Sequence, residues 1–449
     1  MKNIHFSFRH LMFFFILISI VSCKKDEETT GIDTDVTKLS GNIAREWMDL
    51  NANLVKKTKG YAPPIAARTF GYVGLTMYEV AIQGYDKSYS LQGQLNGLSS
   101  LPAASGDYNW ALVFNTAVAE ITYLLFAPTG TEENLVTIAQ LKEKIKKEYA
   151  DEDPSIIEQS EAYGKTLADA IFEYSKSDGG FEAQLDPFQQ PFTMPVGDSI
   201  WIPTGSTLKP LCPKWGTNRT FLASDINFGI APAPVPFSTD PASAMYQEAK
   251  AVYNQDKYNT QDQIAIAKFW ADDAGATATP PGHSILITSQ LLVEKNANLL
   301  QSGIAFGLMG IALNDAFICC WKTKFNYNLL RPVTYIQRYI DPSFTTILNT
   351  PPFPAYTSGH SSQMGAATEI FVKLFARNTA GDYSFVDFTK QQYGFTIRFF
   401  DNFREMADEC ANSRLYGGIH YPMDNTTGLQ MGSQIGNNIL NSVNYPKVF

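Results

Sequence analysis

The sequence predicts an all-α, bundle-like protein, on three observations. Apolar residues recur at three- and four-residue spacing along most of the 449-residue chain. Alternating runs that would mark strands are few. A content of 45% hydrophobic and 13% aromatic residues supplies a large core. In chain order, helical spacing runs through 42–57, 64–84, 108–126, 133–149 and 155–176, then 240–256, 260–272, 284–296 and 299–321. It resumes at 359–377, 386–411 and 425–440. Within 299–321 the uninterrupted apolar run is only Ile304 to Leu313, and Asn314-Asp315 follow at once. That is short of the ~20 residues a membrane span needs, so this segment is expected as a buried core helix. Ser358 is a good N-cap for 359–377, where positions 364, 367, 371 and 374 share an apolar face. The Pro-, Gly- and aromatic-rich stretch 179–239 is the long exception, expected to pack over the helices and rim an entrance.

The N-terminus reads as an export signal. Lys2 and Arg9 precede the apolar run Leu11 to Val21, and Ser22-Cys23 follow. Ile20-Val21-Ser22-Cys23 resembles a bacterial lipobox, which implies cleavage after residue 22 and a lipid anchor on Cys23. Residues 23–38 form a polar tether and 39–449 a single domain. The expected location is outside the cytoplasm, tethered to a bacterial membrane or cell surface. Losing Lys2 and Arg9 takes the net charge from −9 to −11, which argues against nucleic acid or anionic lipid as partner. Cys212, Cys319, Cys320 and Cys410 are too few for a disulfide scaffold, and their pairing stays open.

Three of the five histidines lie beyond the signal: His283, His360 and His420. Two fall in clusters of cations, serine and glycine. Lys324 and Arg331-Pro332 are seven positions apart, close to two helical turns, so both cations can project from one face. Pro332 ends that helix at about Arg331. Ser358-Gly359-His360 opens the next helix, where a hydroxyl, a close backbone N–H and the positive dipole end attract an anion. In Ser413-Arg414…His420…Asp424, the glycines 417 and 418 let Arg414 and His420 converge. Asp424 either caps the last helix or accepts from a ring nitrogen of His420. Together these residues form an oxyanion pocket with three fixed cations. His283 follows two prolines in a loop, has no ligand-like neighbour and reads as structural.

The pattern K-x6-RP, SGH and SR-x5-H-x3-D resembles the signature shared by vanadium-dependent haloperoxidases and the acid phosphatases (type 2 phosphatidic acid phosphatases). One departure is Thr357, where that family usually has Pro before SGH. PPFPAYTSGH, FWADDAGATATPPGH and SRLYGGIHYP look like the haloperoxidase branch, nearest the bacterial iodoperoxidases, over about residues 260–440. The resemblance implies a helical bundle fold of that type, a vanadate cofactor, and hydrogen peroxide and a halide as substrates. It also implies small organic acceptors; a monomer is expected, with the sequence leaving oligomeric state open. By similarity His420 is the vanadium ligand, and Lys324, Arg331, Ser358, Gly359 and Arg414 hold the vanadate oxygens. His360 transfers the proton, with a pKa expected near neutrality, while Lys324 polarises the reacting oxygen. Trp321 and Phe353 match positions that flank the halide pocket, and Asp273 matches the acidic partner of Arg414. An acid phosphatase with His420 as nucleophile is the alternative; a non-catalytic carbohydrate-binding lipoprotein is a third, poorly matched by convergent cations.

Overall fold

The computed structural model describes residues 34–205 and 207–449; the signal, Cys23 and the start of the tether lie outside them. Among the described residues, thirteen α-helices and one two-stranded hairpin make up the regular structure. Helices α1 (Asn42–Lys57), α2 (Pro63–Gln83), α3 (Trp110–Phe126), α4 (Glu132–Lys147) and α5 (Pro154–Ser175) come first. Next are α6 (Ala244–Tyr258), α7 (Gln261–Phe269), α8 (Thr279–Glu294), α9 (Leu299–Tyr327) and α10 (Pro332–Tyr339). After α11 (Gly359–Phe375) come strands β1 (Asp382–Asp387) and β2 (Arg398–Asn402), then α12 (Phe403–Tyr416) and α13 (Pro422–Ser442).

The bundle is built around α9. It starts at a capping box in which Asn298 and Gln301 exchange side-chain and backbone bonds. It is 29 residues long and apolar enough to cross a membrane by length and composition, yet its apolar window is 100% buried within the fold. Helix α2 lies along it, so close that a Cβ on Gly310 would sit 2.5 Å from the Phe70 carbonyl oxygen. Helices α11 and α13 form a second intimate pair, in which a Cβ on Gly432 would lie 2.0 Å from the Ser362 oxygen. The start of α11 and the start of α13 meet the C-terminal ends of α9 and α12 and the N-cap of α10, and these ends carry the three predicted clusters.

Three sequence expectations need correction. The segment 386–411 is not one helix: β1 pairs antiparallel with β2, and α12 begins only at Phe403. Gly381 and Gly394 take positive φ (91° and 83°) around the hairpin. The Asn402 side chain then caps α12 by accepting from the Glu405 N–H at 2.8 Å. Phe385 and Phe400 face each other across the strands and bury their rings near Phe403, an apolar spacing that a helix would also produce. Lys324 and Arg331 do not share one helix either. Asn328 turns left-handed at the end of α9 (φ 49°), and Arg331 becomes the N-cap residue of the short α10. Third, His283 sits inside α8 rather than in a loop.

Among its described residues the stretch 179–239 has no α-helix; short 3-10 turns punctuate it, and Trp201 and Trp215 are fully buried. Its backbone is tied to α9, where Asp315 accepts from the Phe221 and Leu222 N–H groups at 2.8 and 2.9 Å. Cys212, Cys319, Cys320 and Cys410 are all free thiols and all buried.

Candidate active site

Three cations converge without a carboxylate partner of their own. Lys324 is fully buried on the last turn of α9, and its Nζ donates to the carbonyls of Pro354 and Ala355, both at 2.9 Å. The chain's reversal at Asn328 brings Arg331 back toward the same place. Its Nε donates to the Phe353 carbonyl (2.9 Å) and its Nη1 to that of Ile419 (2.9 Å). Arg414, in the last turn of α12, donates Nη1 to the Trp270 carbonyl at 2.8 Å. Backbone carbonyls therefore orient these charges without cancelling them. Burial pulls the Lys324 ammonium down to about 7. Burial also lowers both guanidinium groups, which stay cationic because arginine starts so high.

His420 follows the Gly417-Gly418 turn, where Gly418 takes φ +76°. Its Nδ1 lies 2.8 Å from Asp424 Oδ2, which also accepts the Tyr421 N–H at 3.1 Å. Asp424 thus fills both roles left open above, in the first turn of α13. A carboxylate acceptor fixes the Nδ1–H tautomer and turns the Nε2 lone pair inward, where Arg331 Nη1 donates to it at 3.2 Å. Ser358 caps α11, its Oγ accepting the Ser361 N–H at 3.3 Å. Its own N–H donates to the Asp424 carbonyl at 3.0 Å, tying the second cluster to the third. At Gly359 an added Cβ would meet nothing nearer than Trp321, 3.6 Å away.

Neutrality holds at both histidines. Burial, then the Arg414 charge, pushes His360 well below its ordinary value. For His420 burial acts first, followed by the charges of Arg331, Lys324 and Arg414. Sequence reasoning expected a pKa near neutrality for His360; burial and the Arg414 charge set it lower. Asp273 makes no ion pair with Arg414 within 4.0 Å among the described residues, although that guanidinium acts on its carboxyl. The deeply paired aspartate of FWADD is its neighbour Asp272, bonded to Lys390 and His283.

A cavity of about 640 Å³ opens over this centre. Gly359, His360, Arg414 and His420 line it with Trp321, Phe353 and Asp273, while Lys324, Arg331, Ser358 and Asp424 lie behind them. Trp321 and Phe353 are in contact (ring centroids 4.9 Å apart), and Lys324 Nζ sits 5.1 Å from the Phe353 ring. The 179–239 stretch supplies Pro187, Phe188 and Leu211 to the wall.

An all-helical body with a buried nest of cations beneath an open cleft defines an oxyanion-binding helical-bundle protein. The family model for the second helical-bundle domain of vanadium chloroperoxidase (VCPO) matches residues 304–446. A solved bacterial vanadium-dependent iodoperoxidase is 30% identical, with a TM-score of 0.82 over 90% of this chain and 97% of that one. The chain belongs to the vanadium-dependent haloperoxidases. A solved bacterial vanadium-dependent chloroperoxidase shares the fold at a TM-score of 0.67 and 15% identity, over 92% of this chain and 98% of that one. Vanadium chloroperoxidase of Curvularia inaequalis is 26% identical over 220 residues, covering 36% of this chain and only 36% of that relative.

Sequence reasoning missed the mouth of the cleft. Lys56, Lys57 and Lys59, at the end of α1 and just beyond, line it more than 200 positions from the motifs. Their signal is a basic KKTK in a chain of net charge −9. The carbonyls that aim the cations carry no side-chain signal at all.

Proposed function

We propose that this chain oxidises iodide, and by the same chemistry bromide, with hydrogen peroxide, giving hypohalous acid or its equivalent for halogenation of small organic acceptors. The observation that carries this reading is a set of buried nitrogens with no hydrogen-bond partner: Arg331 Nη2, Arg414 Nε and His360 Nε2. Each leaves a desolvation cost unmet unless something in the pocket bonds to it. Three cations face one carboxylate already engaged with His420, so the pocket suits an oxyanion with several negative oxygens. Vanadate fits this donor set. Lys324, Arg331, Arg414, Ser358 and the Gly359 N–H would hold its oxygens, and His420 Nε2 would ligate the metal. Bound vanadate supplies a Lewis-acid centre that activates hydrogen peroxide toward halide.

The chain's own residues do the remaining work. Asp424 holds His420 in the tautomer whose Nε2 lone pair faces the pocket beside Arg331 and would ligate the metal. His360 Nε2, neutral and buried, takes the proton of incoming peroxide; a bound anion offsets Arg414 and lifts this imidazole toward a working range. Lys324 places positive charge where the reacting oxygen becomes electron-poor. Trp321 and Phe353 exclude water beside it and tune the halide. Overall one peroxide, one halide and one proton give hypohalous acid and water. Support for iodide comes from the 30% identical iodoperoxidase neighbour and from iodide being the easiest of the common halides to oxidise. The Cys23 lipid anchor, export and a monomeric state are proposed on the sequence alone; Cys23→Ser should move the protein from membrane to soluble fraction.

The purified protein reconstituted with orthovanadate should oxidise iodide with peroxide, and His420→Ala should not. Brisk phosphate-ester hydrolysis without any halide turnover would refute the reading in favour of an acid phosphatase with His420 as nucleophile.

A further inference from the structure

A second buried charge cluster lies outside the oxyanion centre and touches its wall. His283 of α8 points Nδ1 at Asp272 Oδ2 (2.9 Å) and Nε2 at Asp387 Oδ2 (2.8 Å). Lys390 Nζ completes the set at Asp272 Oδ1 (2.7 Å) and also bonds the Phe269 carbonyl. All four side chains are buried, and their charges sum to zero only when His283 is protonated. With a carboxylate at each ring nitrogen, both nitrogens must donate. Burial opposes that charge, but Asp272 and Asp387 together raise His283 to about 9.

The cluster clasps the turn between α7 and α8. Trp270 stacks on the His283 ring (centroids 4.6 Å, 29°), and its indole N–H donates to Glu409 of α12 at 3.0 Å. Asp272 takes a left-handed backbone (φ 49°), a conformation aspartate enters more readily than most residues, and this turns its carboxylate toward His283 and Lys390. From this turn the Trp270 carbonyl receives Arg414 Nη1 and also acts on the His360 ring. The β1–β2 hairpin contributes Asp387 and Lys390, so the segment misread as helix reaches the site through this cluster.

We propose that His283 is a positioning residue of the oxyanion site: as an imidazolium between Asp272 and Asp387 it fixes the Trp270 carbonyl that aims Arg414. The inference rests on the oxyanion reading above. The groups facing His283 are Asp272 and Asp387 of β1; Lys390 bonds to Asp272, while Glu409 and Arg414 of α12 bond to the stacked Trp270, and Cys410 lies near Asp272 and Lys390.

The test measures vanadate affinity, and inorganic phosphate in parallel, by equilibrium dialysis. His283→Gln should weaken vanadate about 10–100-fold, the usual cost of losing an outer-shell support. In an Arg414→Met background the same change should cost little more, because the route to the anion is gone. A role in stability alone would move the melting temperature and leave the two losses additive; that result, or unchanged affinity in His283→Gln, overturns the proposal. If His283→Gln does not fold, Asp387→Asn asks the same question. In the wild type, 15N-histidine NMR should find His283 cationic at pH 7, and a neutral ring there would also overturn it. Failure of the wild type to bind either anion sinks the oxyanion reading itself, which keeps the two failures apart.

Discussion

Asp424 offers the sharpest test of how the site is built, because one oxygen does two jobs. Oδ2 accepts from His420 Nδ1 and from the Tyr421 N–H, while Oδ1 has no partner. Asp424→Asn can keep an acceptor oxygen in the Oδ2 position and place its amide where Oδ1 now stands. The bond to His420 then survives but loses its charge. Hydrogen bonds to charged groups contribute about 1.5–3 kcal/mol, and neutral ones roughly half that. The difference, about 1–1.5 kcal/mol, should appear as a loss of about tenfold in vanadate affinity. Asp424→Ala removes the acceptor altogether, frees the tautomer and should cost 10–100-fold. Vanadate affinity by calorimetry, with iodide oxidation at saturating vanadate, reads both. Melting temperature separates the capping role, which Asn fulfils nearly as well as Asp. Asp424→Ala with wild-type vanadate affinity and a lowered melting temperature would refute the reasoning and leave Asp424 as a cap only.

Three further outcomes are expected. Lys324 has a folded pKa lowered to about 7, so between there and its unfolded value near 10.4 the unfolded chain binds more protons and stability rises with pH. Vanadate-free Lys324→Met should therefore melt above wild type at pH 6, with the gap closing toward pH 10, while binding vanadate at least tenfold more weakly. Lys57→Glu combined with Lys59→Glu should lower kcat/KM for iodide several-fold at low salt and by much less near 0.5 M, where charges are screened within about 4–5 Å. An unchanged salt profile would show that the rim lysines do not steer anions. Gly432→Ala should cost about 3 kcal/mol or more and loosen vanadate binding, since its Cβ would collide with the Ser362 carbonyl between α11, which bears His360, and α13, which follows directly on His420. Gly205→Ala, which meets nothing within 4 Å, is the control and should leave the melting temperature within about 1 °C.

Periodicity located most helices because outer ones such as 42–57 bury one face against a common core, whose centre, 299–321, showed instead as an apolar run buried all round. It failed at 386–402, where the rings of Phe385, Phe400 and Phe403 meet across a hairpin and mimic helical spacing. It also ran Lys324 and Arg331 onto one helix, because Pro332 marks a stop by itself, whereas Asn328, a residue that readily turns left-handed at a helix end, ends α9 before it. The site's charged side chains were legible, since unpaired buried cations are rare and their clustering stands out. Their orientation was not, because it is set by the carbonyls of Pro354, Ala355, Ile419 and Trp270. The choice between Asp272 and Asp273 depended on Lys390 and His283, both far along the chain. His283 read as structural from PPGH alone; its two carboxylates come from Asp272 and from a strand about a hundred residues later.

The four buried thiols bear on how long such an enzyme lasts in its own product. An electrophilic halogen attacks thiolates far faster than thiols, and attack begins the oxidation ladder that ends in irreversible damage. Burial pushes Cys212 up to about 12 and raises Cys319 and Cys410 well above the ordinary thiol range. None of the four is exposed, and Cys319 and Cys320 sit on the fully covered α9. Oxidant leaving the cleft therefore meets no exposed thiol among the described cysteines, and inactivation through cysteine oxidation requires the fold to open first.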